Sequence, residues 1–360
     1  MSQPMSLSVI HITRSKSPTS MPWNDLHKSI STTQIMQSEF VVVHKIFGFS
    51  LKLEDKSGYE YFQTGVFSLF NTIRQIRNRN ERSNTVLHCH NASLFALSLI
   101  ISFILGTKIV FNIHNDWLNF NYFQKINIYI VGFFSKRFIC VSNAVKDSIP
   151  IRKKIFDINL FDFIDNSIDS NFFNKAYPLK DREVIRQKKI VIIARMVPQK
   201  NVKLLLEIIS KLDKSWTVDW FGDGPEKKII LSYLDQNNIS CIVNIRGIVN
   251  REKVFIELYD SMIYLACSYW EGIGVANLEA GALGCVPILS NIPPHINIAE
   301  NTGAIICDNN SIDSWMSTIE YISKDLVSHS TLSRDICLST RKKYDRNEMI
   351  HKYLDIYKAL

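Results

Sequence analysis

Two glutamates in the stretch WEGIGVANLEAGALGCVP, Glu271 and Glu279, stand either side of a glycine-bearing turn that leads into a helical pattern. A carboxylate before a helix and another two turns inside it, about 12 Å further on at the helical rise, can hold two hydroxyl-rich ends of one ligand. Between them the helix N-terminus offers unpaired N–H groups and the positive end of a dipole, which attract phosphate. Gly272 and Gly274 let the main chain, Ile273 included, approach such a ligand closely. A nucleotide diphosphate sugar has this layout, with sugar and ribose hydroxyls flanking a diphosphate. The competing reading makes Glu271 a loop charge and Glu279 a solvated helix residue. Against it, Ala280, Ala282 and Leu283 mark the helix as largely buried, where a glutamate needs a partner.

Two further segments supply the complementary charge and turn. In IIARMVPQKNVKLLLE, Arg195 and Lys200 follow the end of a strand and flank a loop that enters a helix. Cations there can be held against a diphosphate, each contributing about 1.5–3 kcal/mol when desolvated and hydrogen-bonded. In DWFGDGPEKKI, Gly222 and Gly224 form a tight turn after a strand, with Pro225 near a helix start.

These groups have to be positioned by alternating strands and helices, and the sequence alternates. Strand-like runs are SLSVIHIT, EFVVVHKIF, NTVLHCH, TKIVFNIH and RFICVS in the first half, then KKIVIIA, WTVDWFG, CIVNIRG, IYLAC and VPILS in the second. Helical patterns such as SLFALSLIISFILG, NAVKDSIPIRKKI, VKLLLEIISKL and REKVFIELYDSM lie between them. Continuous apolar strands between amphipathic helices predict parallel sheets covered on both faces. The stretch after Phe163, FIDNSIDSNFFNKAYPLKDREVIRQ, loses the pattern and gains charge, which suits a linker. The expectation is α/β: two doubly wound, Rossmann-like domains, residues 1–165 and 166–345, facing a central cleft, with ligands at the carboxyl ends of strands.

Composition narrows the partners. The chain has 360 residues, 46% of them hydrophobic, which suits about two domains. Its seven cysteines make no Cys-x-x-Cys pair and sit mostly in apolar runs, predicting buried thiols in a reducing cytoplasm. The N-terminus lacks the apolar core of a signal peptide. The run LFALSLIISFIL is about twelve residues, too short to span a membrane, and predicts a buried helix. Residues 1–165 hold 18 Lys and Arg against 11 Asp and Glu, and residues 166–360 hold 24 against 23. Nearly all the net charge of +8 therefore lies in the first half. Clusters there, Arg74, Arg77, Arg79 and Arg82, then Arg152, Lys153 and Lys154, suit either a solvated surface or an anionic membrane face. No stacking aromatics interleave them, so no nucleic-acid partner is expected.

In order, ARMVPQKN, FGDGPE and SYWEGIGVANLEAGALGCVPILS resemble the C-terminal domain of glycosyltransferase family 4, of GT-B fold. The resemblance covers residues 190–290 closely. It extends more loosely through VLHCHN, FNIHND, CVSNAVKDSI and FIDNSIDSNFF. It implies that Glu271 contacts hydroxyls of a donor sugar and Glu279 the ribose. The backbone of Ile273 and Gly274 would meet the diphosphate or sugar, and Arg195 and Lys200 the diphosphate. It also implies sugar transfer with retention of anomeric configuration, and a final helix, 346–360, crossing back onto the first domain. His114, ending the strand KIVFNIH, matches a family histidine near the reacting sugar. His88 and His90 also end a strand and read as strand-end packing before any role in the site.

The expected reaction is therefore movement of a hexose-type sugar from a nucleotide diphosphate sugar to a saccharide acceptor. The acceptor is expected to be lipid-linked and to serve bacterial surface polysaccharide assembly, with the enzyme cytoplasmic or peripheral on the inner membrane face. No cofactor and no metal are expected: the chain has no Asp-x-Asp sequence, and Arg195, Lys200 and the helix N-terminus would take the developing phosphate charge. A catalytically silent nucleotide-sugar-binding subunit and a GT-B epimerase or phosphorylase are the alternatives. Two departures from the family pattern stand out: the loop RSKSPTSMPWNDLHKS lacks a glycine pair, and Asn166-Ser167-Ile168-Asp169 replaces the common Asn-Gly-Val-Asp.

Overall fold

The computed structural model describes residues 8–13, 37–45, 51–54, 60–79, 85–134, 137–150, 161–179 and 187–360. Arg82, Arg152, Lys153, Lys154 and the loop at 14–29 lie outside them. Two compact units emerge, Met1–Asn166 with Asn347–Leu360, and Ser167–Arg346.

The first unit carries β1 (Ser8–Thr13), β2 (Gln37–Lys45), β3 (Leu51–Glu54), β4 (Glu60–Gly65), β5 (Thr85–Cys89), β6 (Lys108–Ile113), β7 (Phe138–Cys140) and β8 (Phe161–Phe163). They form one sheet in the order β3-β4-β2-β1-β5-β6-β7-β8. Every neighbouring pair is parallel except β3 with β4. That antiparallel edge was not anticipated: β3 and β4 are short, and their run LKLEDKSGYEYF is too polar to read as buried strand. Strand order reverses between β1 and β5, the position where open α/β sheets bind ligands.

Side chains alternate across this sheet with period two. Ile10, Ile12, Leu87, Cys89 and Phe111 face one side, in a core with helices α1 (Leu69–Arg79), α2 (Phe95–Leu105), α3 (Tyr122–Phe134) and α4 (Asn143–Ser148). Val9, Val86, Val110 and Ile139 face the other, packed by Met349, Ile350, Tyr353, Leu354 and Tyr357 of the C-terminal helix, Arg346–Ala359. Each such buried apolar side chain contributes about 1.5–3 kcal/mol.

Helix α2 corrects the expectation of a buried helix. Ser98 and Ser102 point inward, where their hydroxyls donate to Cys89 Sγ (3.4 Å) and the Thr107 carbonyl (2.6 Å). Ile100, Phe103 and Ile104 point to solvent, with Phe103 89% exposed. Apolar composition alone hid this, because a helix apolar on nearly every side gives no periodicity to read.

The second unit is a six-stranded, wholly parallel sheet in the order β11-β10-β9-β12-β13-β14. Its strands are β9 (Gln187–Ile193), β10 (Thr217–Phe221), β11 (Val243–Gly247), β12 (Ser261–Ala266), β13 (Val286–Ser290) and β14 (Ile305–Cys307). Its helices are α5 (Ser170–Ala176), α6 (Val202–Ser210), α7 (Lys227–Gln236), α8 (Arg251–Asp260), α9 (Val275–Ala282), α10 (Pro293–Thr302), α11 (Ile312–Lys324) and α12 (Leu326–Lys343). The stretch expected to be a linker is partly helical. Asp169 caps α5 by accepting from Phe172 N (2.9 Å), and Ile168 and Phe173 join the core of this unit. All seven cysteines are free, and only Cys241 is exposed.

Candidate functional site

In the second unit, strand order reverses between β9 and β12, and the predicted residues gather at the carboxyl ends of these two strands. The loop after β9 carries Arg195 and Lys200; the loop after β12 carries residues 267–274. Lys200 Nζ and Glu271 Oε1 form an ion pair with only 18% and 12% of their side chains exposed. Ser268 Oγ donates to the same carboxylate oxygen (2.8 Å). The loops are also tied through Gln199, whose amide donates to the Trp270 carbonyl (2.8 Å) and whose carbonyl accepts from Tyr269 N (2.9 Å). Arg195 is exposed and donates to Gln199 Oε1 (3.2 Å), so its guanidinium stands at the rim.

The loop bearing Glu271 rests on a buried polar chain. The Ser268 carbonyl accepts from Ser290 Oγ (2.7 Å) and from Asn309 Nδ2 (3.2 Å). Ser290 Oγ lies 2.9 Å from His295 Nδ1. With its own proton on Ser268, that hydroxyl accepts from the imidazole. Burial pushes the His295 pKa down to about 4, against the opposing pull of Glu271, so the ring is neutral at neutral pH. None of Ser268, Ser290, Asn309 and His295 was singled out in the sequence: their roles depend on contacts up to 41 residues apart.

The glycines act through the main chain. Gly274, at φ 70°, is the N-cap of α9; a Cβ there would lie 2.5 Å from Asn277 Nδ2. Asn277 is itself fixed, accepting from Tyr264 Oη at 3.0 Å. Gly222, at φ 130°, backs onto the β9 loop: a Cβ would come within 2.1 Å of the Ala194 carbonyl oxygen. Gly222 therefore sets the shape of the Arg195 loop from behind.

Glu279 is 7% exposed on α9, and its required partner is Arg251, the first residue of α8. Arg251 Nε donates to Glu279 Oε1 at 2.6 Å, with Nη2 on the same oxygen. The sequence predicted that this glutamate needs a partner; its identity, 28 residues upstream, had no local signal. The far end of α9 is fixed by α12, where Arg341 Nε donates to the Ala282 carbonyl (2.8 Å).

His114 belongs to the first unit, half-buried just beyond the end of β6, with burial pushing its pKa down to about 4. The site residues thus fall in two groups. Lys200, Glu271 and the start of α9, with Arg195 at the rim and Glu279 on the helix, form one cation-lined, carboxylate-flanked surface; His114 stands in the other unit.

Residues 179–335 match the model of the family described as glycosyl transferases group 1. Over 304 residues, 81% of this chain, the sequence is 26% identical to the phosphatidylinositol N-acetylglucosaminyltransferase GPI3 subunit of Saccharomyces cerevisiae (strain YJM789). The match spans 66% of that yeast protein, just under two thirds of its length. The chain is also 24% identical, over 30% of its length and 29% of the relative's, to the GDP-mannose:cellobiosyl-diphosphopolyprenol alpha-mannosyltransferase of Xanthomonas oryzae pv. oryzae (strain PXO99A). In structure it resembles Anabaena Alr3699/HepE, solved in complex with UDP-glucose, with a TM-score of 0.79 over 98% of this chain and 100% of that one, at 12% identity. The chain has the GT-B fold, and the resemblance to GT-B glycosyltransferases read from its motifs is borne out.

Proposed function

We propose that the protein is a retaining, family 4 glycosyltransferase that binds a nucleotide diphosphate sugar on its second unit and transfers the sugar to a saccharide acceptor. The observation that carries this reading is the Lys200–Glu271 pair beside the N-terminus of α9, at the switch point of the second sheet. A cation and a helix N-terminus suit a diphosphate, while Glu271 suits sugar hydroxyls. Glu279, held by Arg251, is assigned to the ribose.

As the glycosidic bond to phosphate breaks, negative charge grows on the leaving nucleoside diphosphate. Lys200, Arg195 and the α9 amides stabilise it with no divalent cation. On binding, Lys200 shifts from Glu271 toward the phosphate, which releases the carboxylate to sugar hydroxyls. His114, neutral at physiological pH, is assigned to the transfer step and not to nucleotide binding.

The acceptor is proposed to be lipid-linked, in bacterial surface polysaccharide assembly, with the enzyme peripheral on a cytoplasmic membrane face. The relatives' names support a lipid acceptor, one naming phosphatidylinositol and the other a diphosphopolyprenol. No described helix is long and apolar enough to cross a membrane. The outward faces of α2 and α3 nevertheless expose Ile100, Phe103, Ile104, Phe123, Phe133 and Phe134, the kind of face that enters a bilayer interface. The net charge of +7 over residues 1–165 adds attraction to anionic lipid.

A panel of UDP-, GDP-, dTDP- and ADP-sugars, read by thermal shift and by slow donor hydrolysis, tests the reading. A shift of several degrees with one nucleotide class, with hydrolysis lost in His114→Ala while the shift remains, is expected. No shift with any donor from folded protein overturns it.

A further inference from the structure

We propose that His11, His88 and His90 form a binding site in the first unit for one borderline divalent transition-metal ion of the zinc type. The three imidazoles are buried, and one nitrogen from each lies within 4.8 Å of the others. Among the described residues they are the only His, Cys, Asp and Glu side chains gathered in this way.

The sheet builds the cluster. His11 on β1 is the register partner of His88 on β5, and His88 and His90 share a sheet face by the period-two rule. His90 N donates to the Ile12 carbonyl (2.9 Å), holding the residue beside β1. The cluster sits at the carboxyl ends of β1 and β5, where the strand order of this sheet reverses, the place such sheets reserve for ligands.

The nitrogens are arranged for an ion. His11 Nδ1 and His90 Nε2 are 2.9 Å apart, a spacing at which one shared proton stands between them. His88 Nε2 is buried with no hydrogen-bond partner. An ion bonded at about 2.0–2.1 Å replaces the shared proton with a small opening of that pair, and supplies His88 Nε2 with its missing partner. The far side of the His88 ring is placed as a ligating histidine requires, with an oxygen to accept its other N–H. His88 Nδ1 lies 2.6 Å from Tyr357 Oη, and the Asn112 amide lies 3.5 Å from His90 Nδ1 and 2.9 Å from Tyr353 Oη. An all-imidazole set selects Zn²⁺, Co²⁺, Ni²⁺ or Cu²⁺ over Mg²⁺ or Ca²⁺, which require oxygen ligands.

The test uses the full chain purified without a polyhistidine tag. Its metal content is measured by plasma mass spectrometry after gel filtration. Chelator-treated protein is then titrated with Co²⁺ and followed by visible d–d absorption. Stoichiometric binding is expected, with an upward thermal shift that the chelator reverses. The band should vanish in His88→Ala, and affinity should fall about 10–100-fold in Tyr357→Phe, which leaves all three ligands in place. Folded wild type that takes up no Zn²⁺ and develops no Co²⁺ band overturns the proposal, leaving a hydrogen-bonded imidazole cluster. A band that survives His88→Ala overturns it equally. Neither result bears on donor binding by the second unit.

Discussion

Lys200 and Glu271 are bonded to each other, so the cation assigned to the diphosphate and the carboxylate assigned to the sugar hydroxyls neutralise one another before any ligand arrives. The pair is held by a second donor, Ser268 Oγ, on the same carboxylate oxygen. This arrangement stores the lysine beside the helix N-terminus at little electrostatic cost, and a diphosphate competes for it directly. Lys200→Ala is expected to leave a largely buried carboxylate without its cation, lowering stability of the second unit by about 2–3 kcal/mol. Transfer should fall at least about 100-fold. A double-mutant cycle with Glu271→Gln, read by urea unfolding, should return a coupling of about 1–3 kcal/mol. Additive losses would show that the two side chains do not sense each other.

Arg251 makes the ribose assignment of Glu279 testable. If the glutamate only stabilises the fold, Arg251→Ala and Glu279→Ala should lower stability alike, by about 1–3 kcal/mol, and leave nucleotide affinity unchanged. The proposed ribose contact predicts otherwise: Glu279→Ala weakens nucleoside diphosphate binding about tenfold or more, while Arg251→Ala has a smaller effect, acting only by loosening the carboxylate. Isothermal titration with the preferred nucleotide separates the two.

What was legible in the chain was local. Strand runs such as KKIVIIA and IYLAC, and a glycine before an apolar helix, carry their meaning within a few residues. Glu271, Lys200 and Gly274 were readable for that reason, and each stands at the carboxyl end of a strand or the start of a helix as the pattern requires. Arg251, Ser290 and Asn309 were not readable, because each acts on a partner far along the chain that only the fold brings near, and Ser268 and His295 matter through that chain of contacts. The outward face of α2 was hidden by its own uniformity. The run around Ser98 and Ser102 gives no sign of which side faces the core until the sheet is placed against it.

That outward face yields a prediction of its own. Phe103 on α2 and Phe133 on α3 are exposed at 89% and 63%. Burying one phenylalanine in a membrane interface contributes about 1.5–3 kcal/mol, a factor of roughly 10–100 in partitioning. Phe103→Glu and Phe133→Glu should each lower co-flotation with phosphatidylglycerol-containing vesicles by such a factor, with thermal stability little changed because both rings lie mostly in solvent. Raising salt should weaken wild-type binding only in part, since screening acts on the basic residues and not on the apolar face. Flotation unaffected by both substitutions would remove this face from the membrane proposal.

His295 predicts how the second unit responds to acid. Its pKa is about 4 in the folded protein and near 6.5 when the chain is unfolded, so the unfolded state takes up more protons between those values. The stability it contributes is therefore complete above pH 6.5 and is lost as pH falls toward 4. From pH 7 to pH 5 this one group should cost about 2 kcal/mol. The proton would enter at Nε2, which is buried with no hydrogen-bond partner, and the nearby ammonium of Lys200 opposes it. His295→Gln keeps a donor toward Ser290 and removes the titration. Urea unfolding of the second unit, followed at both pH values, should show a pH dependence about 2 kcal/mol smaller in the variant than in wild type. The same acid step loosens the Ser290–Ser268 support beneath Glu271, so donor hydrolysis should fall in wild type before unfolding is detectable and fall less in His295→Gln. Equal pH dependence in the two proteins would mean that the imidazole is already solvated and does not hold the loop.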